Sequence, residues 1–262
     1  MDLQLAGKVA IVGGASQGIG YAIARLLAAE GADVAMVARR AEPLDEACAN
    51  VATLGGGRAF AVPADIRKAA DCERIVAAAH AHYGRLDILV NNDGAPPLGP
   101  LAEFDDERWH KAVEQNLMSV VRLVRHALPH LKAAGDGRIV NITALSVLQP
   151  LPKFGLSVAT WAAVLGYAKT LSLEVAGDGI TVNTICPGRI ATGRLDKVFG
   201  AGVGAATVDE QAKAEMARQV PLGRLGTPDE IAGMVAFLAS PWAGYITGAT
   251  FHVDGGRRAN LM

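Results

Sequence analysis

A glycine-rich turn, GGASQGIG, lies near the start of the chain between a short apolar run and a stretch with apolar residues at helical spacing. Glycines at such a turn let a charged ligand approach the backbone, and the first turn of the following helix offers free N–H groups. The turn therefore predicts a binding site for the pyrophosphate of a dinucleotide; a turn required only for packing is the alternative. The residues expected to contact this ligand are Gly14, Ser16, Gln17, Gly18, Ile19 and Gly20.

Two arginines, Arg39 and Arg40, follow the second apolar run of the chain. An acidic residue at this place would bind the adenosine ribose hydroxyls and favour NAD, but Ala38 occupies it. A guanidinium forms bidentate hydrogen bonds with phosphate. The pair therefore favours NADP(H) over NAD(H) as the cofactor, and two solvated surface arginines are the alternative.

Further motifs follow in a fixed order along nearly the whole chain. Asp65-Ile66 follows the third apolar run, NNDG (Asn91 to Gly94) follows the fourth, EQNLMSV contains Asn116, and CPGRIAT and YITGATFHVDGG lie towards the C-terminus. Together they resemble the short-chain dehydrogenase/reductase family, and most of all its 3-oxoacyl-carrier-protein-reductase-like members. For the cofactor, this resemblance implies contacts from Asp65, Ile66, Asn92, Gly94, Pro187, Gly188, Ile190 and Thr192.

The resemblance also implies four catalytic positions: a Ser, a Tyr, a Lys four residues after the Tyr, and an Asn. The upstream stretch GRIVNITAL places Ala144 at the Ser position, and the downstream stretch KTLSLEVAGDGITVN places Ser157 at the Tyr and Trp161 at the Lys. Only Asn116 matches the family. The catalytic tetrad is therefore incomplete, and Ser157 is a tentative catalytic residue.

A serine hydroxyl is a far weaker acid than a tyrosine hydroxyl, whose pKa is about 10, and Trp161 would crowd the nicotinamide ribose. We therefore do not expect the usual Tyr–Lys catalysis. One hypothesis is an NADP(H)-dependent oxidoreductase with a non-standard site, which reduces an iminium, a quinone or a strongly polarised enone. The alternative is a catalytically inactive NADP-binding sensor or scaffold subunit. Cofactor-independent lyase chemistry is less favoured, because the glycine-rich turn is intact.

Other reactive groups are less informative. Asp93 replaces a small residue of the family motif beside the nicotinamide, so a carboxyl acid is conceivable there. Thr143, Ser146 and Lys153 are near in sequence but fit ordinary loop or helix positions. The histidines show no metal-ligand spacing, and no metal is expected.

Short β-branched runs alternate with longer helical patterns from end to end. This alternation predicts a single-domain α/β Rossmann fold over residues 1–262, a doubly wound parallel sheet with helices on both faces. One long helix is predicted over Asp105 to Ala134. A Gly- and Ala-rich segment at about 193–220 interrupts the pattern and predicts a mobile substrate lid; a surface insertion is the alternative. Arg189 and Leu195 are expected to help shape the pocket.

Composition limits the class of protein. The 262 residues carry a net charge of −1, which gives no support for nucleic acid or an anionic membrane as a partner. No run of about 18 apolar residues predicts a membrane span, and the N-terminus MDLQLAGKVAIV is unlike a secretory signal. A cytoplasmic protein with a small-molecule substrate is expected, and the resemblance implies a homotetramer.

Overall fold

A computed structural model of the protein describes residues 1–193, 195 and 210–260. The strands are β1 (Val9–Gly13), β2 (Asp33–Ala38), β3 (Ala59–Pro63), β4 (Ile88–Asn91), β5 (Arg138–Ile142), β6 (Thr181–Pro187) and β7 (Thr250–Val253). Within the described residues they form one seven-stranded sheet in the order β3-β2-β1-β4-β5-β6-β7. Every neighbouring pair is parallel.

Helices cover both faces of this sheet. They are α1 (Gly18–Ala29), α2 (Ala41–Ala52), α3 (Ala69–Tyr83), α4 (Asp106–Val113), α5 (Ser119–Ala134), α6 (Gly155–Glu174), α7 (Glu210–Arg218) and α8 (Pro228–Ala239). Helices α1, α2 and α8 contribute to the hydrophobic core on one face, and α3, α5 and α6 to the core on the other. The predicted single-domain α/β Rossmann fold is confirmed.

The central strands β1 and β5 are buried on both faces, and in β1 this burial explains the continuous apolar run of the sequence. All five residues of β1 are buried, and so are all five of β5. Along β1, Val12 belongs to the core cluster on the α1 side, whereas Ile11 belongs to the cluster on the α5 side. The alternation of side chains therefore anchors β1 to both helical layers.

Helix α8 begins with a capping box. The Thr227 hydroxyl accepts a hydrogen bond from the Glu230 backbone N–H, and the Glu230 carboxylate accepts one from the Thr227 backbone N–H. Pro228 occupies the first turn, where its missing N–H is no loss. These residues fix the start of the helix, which packs against α1.

The predicted long helix over Asp105 to Ala134 is interrupted. Helices α4 and α5 are joined by a π-helical segment, Glu114–Met118. A π-helical turn is wider than an α-helical turn and often marks a functional site. It contains the buried Asn116, the residue predicted to match the catalytic asparagine of the resembled family.

The strand order places a binding crevice at one point of the sheet. From β1 the chain builds outward first through β2 and β3, and then on the other side through β4. In a doubly wound sheet, ligands bind at the carboxyl ends of the strands where this reversal occurs.

None of the helices in the described ranges is long and apolar enough to cross a bilayer.

Candidate functional site

The glycine-rich turn follows β1 and has the close backbone packing that a dinucleotide site requires. Gly14 has a φ of 61°, and a Cβ atom built on it would lie 2.7 Å from Asn92 Nδ2. A Cβ on Gly20 would lie 2.3 Å from the Gly14 carbonyl oxygen. Asn92 donates from Nδ2 to the Gly13 carbonyl oxygen at 2.9 Å, so the end of β4 is fixed against the turn.

The first turn of α1 has backbone donors to offer. Gln17, its N-cap residue, makes no side-chain capping bond in the described part of the chain. Ser16 and Ile19 are half-buried beside it, and Gln17 is exposed. The glycines leave a space along the backbone that a Cβ atom would fill, and the N-terminus of α1 beside it has no side-chain cap. Such a site fits a pyrophosphate. The residues predicted for this part of the site are therefore brought together.

The adenosine end of the cleft carries several positive charges. Arg39 and Arg40 are exposed after β2. Asp65 pairs with Arg67 through two short hydrogen bonds, Nη2 to Oδ2 at 2.6 Å and Nε to Oδ1 at 2.8 Å. These bonds lower the pKa of the Asp65 carboxyl, and the charge of Arg39 acts in the same direction. Asp65, the only acid among these residues, is thus paired with Arg67. Ile66 lines the adjoining pocket.

The opposite end of the cleft is formed by the loop after β6. The Gly188 N–H donates to the Val253 carbonyl at 2.9 Å, and the Ala191 N–H donates to the Gly226 carbonyl at 2.8 Å. Ile190 is buried and forms a bridge with Gly226. Thr192 approaches the glycine-rich turn, because its Cγ2 lies 3.6 Å from a Cβ built on Gly18. Pro187, Gly188, Ile190 and Thr192 are therefore held on the side of the cleft that faces α1.

The three altered tetrad positions differ in what they contact. Ala144 is half-buried after β5. Ser157 lies in the first turn of α6 with 1% of its surface exposed, and its Oγ has no hydrogen-bond partner in the described ranges. Trp161, one turn later and also buried, lines a pocket at the cleft, but Ser157 does not. Position 161 thus faces the pocket as an indole, where the resemblance leads one to expect an ammonium group.

Asn116 is fixed by a helix-to-helix hydrogen bond. Its Nδ2 donates to Thr160 Oγ1 at 2.8 Å, and Thr160 Oγ1 donates to the Leu156 carbonyl at 2.7 Å. No motif in the sequence singles out Thr160, although it directly precedes Trp161. Only the packing of α6 against the π-helical segment reveals its role.

The pocket between the strand ends and the π-helical segment is mainly apolar with a few amides and hydroxyls. The polar side chains that line it are Asn91, Asn92, Asp93, Gln115, Asn116, Ser119, Asn141 and Thr143. Among the described residues, no Lys, Arg, His or Tyr lines it. Asp93, at its exposed edge, is close enough to Arg67 for their charges to interact. This lining provides hydrogen bonds but no side chain that readily donates a proton near neutral pH.

The remaining candidates do not form a catalytic group. Thr143 Oγ1 lies 3.1 Å from Cys186 Sγ and donates to the Ile185 carbonyl at 3.3 Å. Ser146 is buried, and its Oγ has no partner within the residues described. Lys153 is exposed and does not line the pocket.

The histidines lie away from the cleft. His80 packs on His130 with ring centroids 4.1 Å apart, and His82 stacks on Phe60 at 4.2 Å. Burial, and then the neighbouring His80, lower the pKa of His130. The described residues contain no group of three or more His, Cys, Asp or Glu side chains that could hold a metal ion.

The predicted lid falls largely outside the described residues, which omit 194 and 196–209. Of the rest, Met216 of α7 packs with Leu195 in a small apolar cluster. Gln219 accepts a hydrogen bond from Arg189 at 2.7 Å. The lid itself stays a prediction.

A family model described as enoyl-(acyl carrier protein) reductase matches residues 14–258. The 3-oxoacyl-(acyl-carrier-protein) reductase FabG of Vibrio cholerae is 40% identical over 256 residues, which cover 97% of this chain and 98% of that protein. Human dehydrogenase/reductase SDR family member 4 is 35% identical over 260 residues, 98% of this chain and 90% of that protein. The structure of L-sorbose reductase from Gluconobacter frateurii, complexed with NADPH and L-sorbose, superposes with a TM-score of 0.94 at 34% identity, and the match covers both chains fully.

Proposed function

Because the chain belongs to the short-chain dehydrogenase/reductase family, we propose that it is an NADP(H)-dependent oxidoreductase whose substrate needs no proton from a tyrosine–lysine pair. The oxidoreductase class follows from the family and its relatives. The non-standard chemistry is the proposal. One observation supports this proposal. Asn116, Thr143 and Trp161 line the pocket beside the complete glycine-rich turn, and no Tyr or Lys among the described residues lines it.

The substrate class follows from the proton balance. When bound, NADPH supplies a hydride. A simple ketone that accepts a hydride becomes an alkoxide and needs an acid, whereas an iminium carbon accepts a hydride while its C=N electron pair moves onto nitrogen. The product is a neutral amine, and no proton is required. Quinones and strongly polarised enones give stabilised anions that water can protonate. Thr143 would orient such a group, and Trp161 would exclude water from it.

NADP(H) is favoured over NAD(H) by charge. Arg39 and Arg40 are exposed beside the adenosine end, and the one acid there, Asp65, is occupied by Arg67. A 2′-phosphate would meet the exposed guanidinium groups of Arg39 and Arg40 at this end, whereas the carboxylate of Asp65 is already paired with Arg67. The NADPH complex of the sorbose reductase is consistent with this preference.

A second candidate function is an NADP-binding sensor or scaffold subunit without turnover. It is favoured by the burial of Ser157 and Trp161 at the two positions that normally act on substrate and ribose. In this case the cofactor acts as a signal. We expect such a sensor or scaffold protein, like the enzyme, to be a homotetramer in the cytoplasm.

The deciding experiment has two stages. NADPH is first titrated against the protein, and its binding is monitored by NADPH fluorescence and by thermal shift. NADPH oxidation is then followed at 340 nm with a cyclic iminium, a quinone, an activated enone and, as the control, a simple aliphatic ketone. We expect binding, and oxidation with one or more of the first three but not with the ketone. If NADPH binds but no electrophile oxidises it, the oxidoreductase function is rejected and the sensor or scaffold function remains. If NADPH does not bind, both functions are rejected.

A further inference from the structure

Two buried amide oxygens at the cleft have no donor. Asn91 Oδ1 and Asn116 Oδ1 are inaccessible to water, and neither accepts a hydrogen bond from any residue in the described part of the chain. Both residues line the same pocket, together with Trp161. A buried carbonyl oxygen without a donor is costly, so native proteins rarely leave one without a structural or functional reason.

The orientation of the Asn116 amide follows from its neighbours. A threonine hydroxyl has one hydrogen, and Thr160 uses it on the Leu156 carbonyl at 2.7 Å. Thr160 Oγ1 can therefore only accept from Asn116, which requires Nδ2, and not Oδ1, to face it at 2.8 Å. Oδ1 is the amide atom that remains for another group.

Asn91 shows the same division of its amide. Its Nδ2 donates to Asn141 Oδ1 at 2.8 Å, between the ends of β4 and β5. Its Oδ1 is left as an acceptor on the same pocket. Two residues that line the pocket thus each keep one buried amide oxygen without a donor, and a ligand group that complements both must supply two hydrogen-bond donors.

We propose that Asn91 and Asn116 accept hydrogen bonds from the two hydroxyls of the nicotinamide ribose, with Thr160 as the positioning residue for Asn116. The inference rests on the proposed binding of NADP(H). A vicinal diol has the required pair of donors, and the residue next to Thr160, Trp161, stands where the family resemblance implies a ribose-binding lysine. The two amides thus bind the ribose in place of the lysine that the altered tetrad lacks. A protonated amine of the substrate has the same donor chemistry and is the competing source.

Asn116→Leu removes the acceptor and keeps the branched shape of the side chain. Dissociation constants are measured for NADPH and for 2′,5′-ADP, a fragment that keeps the phosphorylated adenosine but has no nicotinamide ribose. We expect about tenfold weaker binding of NADPH, the effect of one hydrogen bond, and unchanged binding of 2′,5′-ADP. Equal effects on both ligands, or none on either, would overturn the proposal.

Thr160→Val and Thr160→Ser form a matched pair for the positioning role. Valine keeps the shape but cannot hold the amide, whereas serine keeps the hydroxyl. We expect the valine variant to weaken NADPH severalfold without affecting 2′,5′-ADP, and the serine variant to bind as the wild type does. A purely structural role of Thr160 would weaken both ligands together.

The wild-type protein provides a test that depends on no variant. An NADPH analogue whose nicotinamide ribose lacks both hydroxyls should bind at least tenfold more weakly than NADPH. Equal binding of the analogue would assign the amide pair to a donor of the substrate and overturn the ribose assignment. These binding constants do not depend on turnover. Failure of the oxidoreductase function in the electrophile screen is therefore distinguishable from failure of this inference.

Discussion

At the scale of single residues, the two ends of the cleft differ in how completely the chain keeps its family's chemistry. The phosphate turn keeps its glycines, and the cleft beside it keeps Asn92 and Thr192 in contact with that turn. At the chemical end, the sequence predicts that only Asn116 of the tetrad is retained. Binding and catalysis can therefore be tested separately, with variants that touch only one end.

Arg39→Ala tests the assignment of the 2′-phosphate. Removing a charge-assisted hydrogen bond worth about 1.5–3 kcal/mol should weaken NADPH about tenfold or more and leave NADH nearly unchanged. Dissociation constants for both cofactors, measured by fluorescence titration, give the answer. Arg125→Ala, which removes the same charge from an exposed site on α5, is the control. An equal loss for NADPH and NADH at position 39 would refute the assignment.

Restoring the tetrad tests whether its loss explains the chemistry. The triple variant Ala144→Ser, Ser157→Tyr, Trp161→Lys regains the acid and the charge that lowers its pKa. We expect it to reduce a simple ketone that the wild type does not reduce. Because Ser157 is 1% exposed, the larger tyrosine should also cost about 1–3 kcal/mol of unfolding free energy by overpacking. Rapid ketone reduction by the wild type would show that another residue supplies the proton.

At the scale of elements, the capping box of α8 makes a pH-dependent contribution to stability. Hydrogen bonds from Arg224, and then from the Thr227 backbone, lower the pKa of Glu230 from 4.5 to about 2. A carboxyl whose pKa is depressed in the folded state stabilises the fold above its unfolded pKa, and this stabilisation is lost as pH falls through the folded pKa. The relevant window is therefore between about pH 4.5 and pH 2.

Glu230→Gln should lower the free energy of unfolding by about 1 kcal/mol at pH 7, because the carboxylate is largely exposed and its ion pair is screened. Denaturant unfolding of wild type and variant at a series of pH values gives the difference. It should be constant from pH 7 to about pH 5 and shrink as the pH approaches the folded pKa. A difference that stays the same down to pH 3 would contradict this origin.

The elements also show what could be predicted from sequence and what could not. Strand β1 was predictable, because burial on both faces leaves an uninterrupted apolar run. The π-helical segment at Glu114–Met118 was not, since one wider turn leaves no periodicity that differs from a continuous helix. The role of Thr160 was equally hidden. Its hydrogen bond to Asn116 spans 44 positions and exists only once α6 packs on that segment.

At the scale of the whole molecule, the predicted cofactor site is built on one of the two large packed cores. The sheet ends, the glycine-rich turn and α1 form one packed unit, whereas the loop after β6 leads into the predicted lid. NADP(H) binding should therefore stabilise the complete fold by mass action, and the thermal shift should grow with the logarithm of the cofactor concentration.

The surface of a single chain leaves apolar side chains exposed, which bears on the predicted homotetramer. Leu173 on α6 is 72% exposed, and Tyr245 before β7 is fully exposed. Light scattering coupled to size exclusion should give about 108 kDa, four times the chain mass of 27.1 kDa. Leu173→Asp should lower this mass if the α6 face is covered by another subunit, because an interface core excludes unpaired charge. Leu54→Asp, at a residue 45% exposed after α2, is the matched control and should keep the wild-type mass. A wild-type mass of one chain would reject the tetramer, and the cleft would then have to be complete within a single subunit.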